Sequence, residues 1–200
     1  MGIFLSRDCV KFLTISLCLC KRSPLVSLQF DSVISPKERP FQRYDSKGYR
    51  QVVGCIPYRY RETNQSSSIE ELEVLLISSQ NGHGMLFPKG GWEKGESMED
   101  AARRETREEA GVLGKLQNRL GQWNYKSKRH SIMHEGHMFS FLVEKQLDKW
   151  DEKNFRERKW MTVAEARKVC HQEWMMNALD KLVSQLQPLR EEEAEETTCT

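Results

Sequence analysis

The order of elements along this 200-residue chain predicts an α/β fold, a mixed β-sheet lying between helices. Three observations carry that expectation. Two apolar, β-branched segments of strand length, residues 51–60 and 72–78, precede a polar but well-capped helical stretch. Further strand-like segments follow it at 121–125 and 137–144. The chain then closes on Trp174, Met175, Ala178, Leu179, Leu182 and Leu186, whose spacing is that of an amphipathic helix packed on a core.

Residues 1–41 read as a variable leader. Arg7, Lys11, Lys21 and Arg22 alternate with serine and apolar residues, and Asp8 is the only acid before Asp31. The apolar run 12–20 is too short to span a bilayer, so no transmembrane segment is expected. A leader without an address leaves the chain in cytoplasm and nucleus. The alternative is a mitochondrial or plastid transit peptide, which suits the Arg- and Ser-rich, acid-poor composition. Gly2 and Ser6 also match the short myristoylation pattern.

Pro36 to Pro40 forms a linker, and a single domain is expected over 42–187. In the first strand, Pro57 points to an edge or a bulge. Residues 62–68 are a polar loop, and 72–78 (LEVLLIS) is a buried strand. Asn81-Gly82-His83-Gly84 turns the chain into a short strand at 85–87, which delivers the loop beginning at Gly90. The helix after that loop has Ser97 as N-cap, Asp100 three residues later in a capping-box pattern, and Gly111 where a left-handed C-cap is wanted. Beyond it, Lys126-Ser127-Lys128-Arg129-His130 is a basic loop between two strands. His130, His134 and His137 lack the second cluster a zinc site needs, so they read as solvated or phosphate-facing. Trp160-Met161 extends the sheet, and Thr162 with Glu165 caps a helix over 163–170. Pro188 is expected to stop the final helix, leaving 188–200 as an acidic disordered tail.

Composition narrows the function classes. A hydrophobic content of 38% supports one domain with a real core. A net charge of +2 gives no reason to expect nucleic acid as a partner. Of six cysteines, only Cys55 and Cys170 fall inside the domain, without CxxC or zinc spacing, and read as core hydrophobes in a reducing compartment.

The chemistry concentrates in residues 90–112. Glu105, Glu108 and Glu109 stand at i, i+3 and i+4, on one face of a helix, where like charges repel. A turn-rich loop, Phe87-Pro88-Lys89-Gly90-Gly91-Trp92, and a further carboxylate, Glu96, come just before. A glycine loop feeding clustered carboxylates suits a hard divalent cation and a phosphate chain.

This stretch resembles the Nudix box, G-x5-E-x7-R-E-U-x-E-E-x-G-U. Gly90, Glu96, Arg104, Glu105, Glu108, Glu109, Gly111 and Val112 all stand at its fixed positions, and Thr106 replaces the usual aliphatic residue. The resemblance implies a Nudix-type α/β/α sandwich with a mixed β-sheet. It also implies Mg²⁺ as cofactor, with Mn²⁺ as substitute, held by Glu105 and Glu109. By the same resemblance Glu108 is the base that activates water or a further ligand. Glu96 is an outer ligand or a helix-end support, and Arg104 orients a glutamate.

The substrate reading rests on basic residues. Arg43, Arg50, Arg59, Lys89, Lys128, Arg129, Arg158 and Lys159 lie in loops or at strand ends on both sides of the box. Jointly they suit a cleft for a small, highly phosphorylated molecule. Residues 43–187 resemble the diphosphoinositol polyphosphate phosphohydrolase branch, especially its plant-type members, through YDSKGYRQVVGCIPYR, LFPKGGWEKGE and the basic stretch after the box. That resemblance implies removal of the β-phosphate of inositol pyrophosphates and cleavage of diadenosine polyphosphates. Lys89, Gly90, Gly91 and Arg59 would contact phosphates, helped by Lys128, Arg129 and Lys159. No proline lies between Pro88 and Pro188, and Lys128, Arg129 and His130 fill the window where dinucleoside tetraphosphatases carry a tyrosine. Two other readings stand beside this one. A nucleotide-directed Nudix enzyme would stack a base on Tyr58, Tyr60 or Trp92. A non-catalytic polyphosphate binder would have no need of the metal cluster. A monomer is the expected state.

Overall fold

Strand β1, Arg50–Tyr60, is buried along eight of its eleven residues and is the centre of the sheet. The structure, a computed structural model, describes residues 40–61, 72–80, 84–127 and 132–198, all of which lie in one compact unit, Ser35–Thr200. Strands β2 (Leu72–Ser78), β3 (Met85–Leu86), β4 (Lys89–Gly91), β5 (Val112–Lys126), β6 (Met133–Gln146) and β7 (Arg158–Thr162) complete a seven-stranded sheet. The order along its main path is β3-β2-β1-β6-β5, with β4 paired to β1 and β7 to β2. The sheet is mixed: β1 runs parallel to β6 and antiparallel to β2 and β4.

Helices α1 (Met98–Ala110), α2 (Val163–Val169) and α3 (Glu173–Thr198) complete the domain. Adjacent β1 residues show how α1 and α3 are divided between the faces. Gly90 is paired with Val53 and points at Glu105 of α1, whereas Gly136 is paired with Val52 and points at Trp174 of α3. Neighbouring strand residues face opposite sides, so α1 and α3 cover opposite faces. The core between the layers holds Val53, Ile56, Leu75, Leu76, Ile77, Phe87, Met138, Met175, Leu179 and Leu182, all fully buried. Each such side chain contributes roughly 1.5–3 kcal/mol of burial. Cys55 and Cys170 are free and buried in this core, and burial pushes the Cys55 thiol up to about 12. Among the described residues, no helix is long and apolar enough to cross a membrane.

Several expectations need correction. Strand β1 is central, not an edge; Pro57 falls between the β4 register (Val52–Gly54) and the β2 register (Tyr58–Tyr60), where its missing N–H is tolerated. Residues 89–91, read as loop, form β4. Strands β5 and β6 run to 15 and 14 residues, well beyond the segments seen in the sequence. Their polar, glycine-containing stretches hide the strand pattern, and three register shifts break its alternation. Helix α3 passes through Pro188 to Thr198 rather than stopping. The run LREEEAEE after the proline consists of strong helix formers, which offsets one lost hydrogen bond.

Candidate active site

Helix α1 is fixed at both ends. Ser97 Oγ accepts from the Asp100 N–H at 3.0 Å and donates to Asp100 Oδ2 at 2.7 Å, so Asp100 engages the capping hydroxyl. Gly111 ends the helix at φ 63°, and a Cβ there would meet the Trp150 ring at 2.6 Å. Small or short residues, Ala101, Ala102, Thr106 and Ala110, face the sheet and let the helix sit close. Thr106 is fully buried, and its hydroxyl donates to Ala102 O at 2.7 Å, so the departure from an aliphatic residue leaves no polar group unsatisfied.

Close packing brings the acidic face of α1 onto β4. Gly90 has no room for a side chain: a Cβ would lie 2.1 Å from the Glu105 carboxyl. Glu109 accepts from the Lys89 backbone N–H at 2.8 Å through Oε2, and from Arg156 Nη2 through Oε1. Glu105 accepts from Arg104 Nη1 at 2.7 Å, and Glu108 from the same nitrogen at 3.4 Å. Arg104 also grips Glu96 with two nitrogens, at 3.0 and 2.8 Å, and donates to Gly91 O at 2.9 Å. One guanidinium thus ties the loop after β4 to three glutamates.

The electrostatics separate these carboxyls. Burial, then the charge of Glu109, pushes Glu105 up to about 8 against the pull of Arg104. Burial raises Glu109 too, opposed by Arg156 and Lys89. Burial likewise raises Glu108. Glu96 goes the other way: burial works against its charge, but the Arg104 fork and the Glu93 N–H hold it below the usual range. Burial lowers Lys89, whose charged neighbours are Glu109, Arg156, Arg50 and Glu105.

Two buried, crowded carboxylates whose ionised forms are disfavoured provide a place where a cation is welcome. Among the described residues, no three His, Cys, Asp or Glu side chains gather at metal-ligand spacing. Magnesium does not need them, because one or two carboxylates suffice when waters and substrate phosphates fill the other positions. The donor set Glu105 and Glu109 fits that ion.

The structure divides the basic candidates. Lys89, Gly90 and Gly91 stand beside the carboxylates, and Arg50 lies close to Lys89 and Gly91 while donating to Gln42 Oε1 at 2.8 Å. Arg43 stacks 4.5 Å over Trp92 and donates to Glu93 O at 2.9 Å, which fixes the box loop. Arg59 is not brought to the site. It lies five residues beyond Gly54, the partner of Lys89, or roughly 17 Å along the strand. There it pairs with Glu73 at 2.8 Å and stacks over Trp160. Lys159 is exposed on β7 near Glu165, also away from the carboxylates. Arg158 caps α1, donating to Ala110 O and Gly111 O at 3.0 and 2.9 Å. Lys128, Arg129 and His130 lie outside the described residues. His134 and His137 are buried on β6 rather than solvated. The His137 ring nitrogens face Arg119 Nη2 at 2.8 Å and Gln51 Oε1 at 3.0 Å.

Two site residues escaped sequence reasoning. Arg156 and Glu152 lie between β6 and β7, over forty residues from Glu109, and no motif marks them. The run Arg156-Glu157-Arg158-Lys159 was the available signal, but nothing in it distinguishes the one arginine that turns inward.

Comparison with known proteins agrees with this geometry. Residues 48–186 match the NUDIX domain. Nudix hydrolase 21, chloroplastic, of Arabidopsis thaliana is 52% identical over 162 residues, covering 80% of each chain. Diphosphoinositol polyphosphate phosphohydrolase 3-alpha of Mus musculus is 33% identical over 151 residues, covering 73% of this chain and 85% of that one. The crystal structure of a C. elegans Ap4A hydrolase shares the fold with a TM-score of 0.53 at 22% identity, over 68% of this chain and 97% of its own. With a complete acidic box on a helix that packs against its glycine strand, and a domain match over most of its length, the chain belongs to the Nudix hydrolase family, whose members cleave pyrophosphate bonds.

Proposed function

We propose that this Nudix hydrolase is a Mg²⁺-dependent phosphohydrolase that removes the β-phosphate of inositol pyrophosphates and also cleaves diadenosine polyphosphates. The observation that carries the reading is the group of cations at the glycine strand: Lys89 and Arg50 stand beside Gly90 and Gly91, and the part-exposed Arg104 binds Glu105 next to them. A ligand with many phosphates matches such a surface, because each guanidinium or ammonium gives charge-assisted bonds to its oxygens. The mouse relative named for diphosphoinositol polyphosphates supports the same class.

Glu105 and Glu109 would hold Mg²⁺, or Mn²⁺ in its place. Such an ion supplies positive charge to phosphate oxygens and lowers the pKa of water. Glu108 is the base we assign, because its side chain is 32% exposed, against 13% for Glu105 and 7% for Glu109, and its raised pKa suits proton uptake. Glu96 acts as a support, locked to Arg104. Lys89, Gly90, Gly91 and Arg50 are the substrate contacts we retain, with Lys128 and Arg129 as further candidates.

The nucleotide-directed reading fares less well. Tyr58 is buried with its hydroxyl on Gln117, Tyr60 packs edge-on against Tyr58, and Trp92 lies between Arg43 and His137. The aromatics proposed for base stacking are already engaged. The chloroplastic relative favours an organelle address for the leader over cytoplasm and nucleus. A fluorescent protein carrying residues 1–41 should then reach a plastid or mitochondrion, and diffuse cytosolic and nuclear signal would reverse that choice.

The test of substrate is turnover with Mg²⁺ on four compounds side by side: an inositol pyrophosphate, diadenosine hexaphosphate, ADP-ribose and capped RNA. The inositol pyrophosphate should give the highest kcat/KM. A clear preference for ADP-ribose or the cap would replace this reading with the nucleotide one.

A further inference from the structure

The box glutamate Glu109 is tied to a residue pair that lies outside the box. Arg156 is buried, and each of its three guanidinium nitrogens has one acceptor. Nε donates to Glu152 Oε2 at 2.6 Å, Nη1 to Ser78 O at 2.9 Å, and Nη2 to Glu109 Oε1. The guanidinium plane is therefore fixed by the end of β2, by the loop before β7 and by α1 at once. Glu152 is anchored in turn. Its backbone N–H donates to Glu108 O at 3.1 Å in the last turn of α1, and its carbonyl accepts from the Arg156 N–H at 2.9 Å. Its side chain is nearly as buried as that of Arg156.

A buried arginine shared between two carboxylates differs from one paired with a single partner. Glu152 shares the charge of Arg156, so the guanidinium neutralises Glu109 less than it would alone, beside the Lys89 side chain that also faces Glu109. Without the charge on Glu152, Arg156 would belong wholly to Glu109, and a metal would have to compete with a fixed guanidinium. From this geometry we infer that Glu152 is a positioning residue for the metal centre: acting through Arg156, it sets where the Glu109 carboxylate stands and keeps its charge available. The inference rests on the assignment of Glu109 as a metal ligand.

The test is Mn²⁺ binding to the full chain, followed by the loss of the free-ion EPR signal, for wild type, Glu152→Gln, Glu152→Asp and Glu109→Gln. Outer-shell partners of metal ligands typically change affinity by about 10–100-fold, and Glu152→Gln should fall near the lower end. Glu152→Asp keeps the charge and should recover part of the loss. The KM for the polyphosphate should not change at saturating Mn²⁺. A lower melting midpoint in chelator combined with unchanged Mn²⁺ affinity would show that Glu152 is structural only and overturn the inference. If Glu152→Gln does not fold, Glu152→Asp decides alone: wild-type affinity at a lowered melting midpoint overturns it, and a several-fold loss upholds it. Wild-type Mn²⁺ binding by Glu109→Gln would instead remove the underlying assignment, so the two failures are distinguishable.

Discussion

Replacing Gly90 with alanine would put a methyl carbon 2.1 Å from Cδ and Oε2 of Glu105 and 2.3 Å from Oε1. No real side chain tolerates that distance, so something must move by about 1 Å. Strand β4 is held by its ladder to Val52–Gly54, where a side chain at Gly54 would itself strike Pro88 O at 2.4 Å. Helix α1 can retreat only by opening space beneath Ala101 and Ala102, both fully buried. The Glu105 carboxylate is therefore the group that yields, breaking its 2.7 Å bond to Arg104. Overpacking of this kind costs about 1–3 kcal/mol, which for a chain of this size lowers the melting midpoint by roughly 2–12 °C. A catalytic group displaced by about 1 Å costs on the order of a hundredfold in rate. Differential scanning calorimetry and turnover of an inositol pyrophosphate with Mg²⁺ measure the two effects. Gly95→Ala is the control: at φ +94° with no atom within 4 Å, it strains the backbone without touching a carboxylate, so stability falls and turnover holds. Wild-type turnover by Gly90→Ala would refute the placement of Glu105 against the glycine strand.

Other outcomes follow from the same geometry. In the folded chain Glu105 keeps its proton up to about pH 8, whereas the unfolded carboxyl ionises near 4.5. The folded state holds more protons between those values, so stability falls as pH rises through the window. The melting midpoint in chelator should drop from about pH 5 to about pH 8 and recover at the upper end when Mg²⁺ is added; a flat or rising profile would contradict this. Arg104→Lys keeps one charge but loses the fork that joins Glu96, Glu105, Glu108 and Gly91 O, so kcat should fall about a hundredfold or more while circular dichroism stays native. Arg59→Ala and Lys159→Ala lie away from the carboxylates, and the KM for an inositol pyrophosphate should stay within about twofold of wild type; a tenfold rise in either would return them to the site.

What could be read from the sequence was local. The helix carrying the carboxylates and its Ser97 and Gly111 caps follow from residues within one 23-residue stretch, and the structure shows them as expected, whereas the packing of Gly90 against Glu105 emerges only from the fold. Strands β1 and β2 were visible because they are buried along most of their length. Strands β5 and β6 were partly hidden, since Gly114, Gln117, Asn118 and Gly121 interrupt any apolar alternation and the pairing is set by tertiary contact. Apart from Arg104, whose glutamate partners the box resemblance implies, the destination of the arginines could not be read. Arg43, Arg59, Arg156 and Arg158 have the same charge and similar neighbours in sequence, yet Arg43 braces the box loop, Arg59 pairs with Glu73 on the next strand, Arg156 reaches Glu109 and Arg158 caps α1. Only the fold assigns those partners.

The most direct test of Glu109 as a metal-holding residue is the initial rate of phosphate release from an inositol pyrophosphate as Mg²⁺ is titrated into chelator-stripped protein, for wild type and Glu109→Gln. No turnover is expected without the ion, with a saturating rise for wild type and a rate lower by about two orders of magnitude for the folded variant. Undiminished release in chelator, or equal curves for the two proteins, would contradict that role.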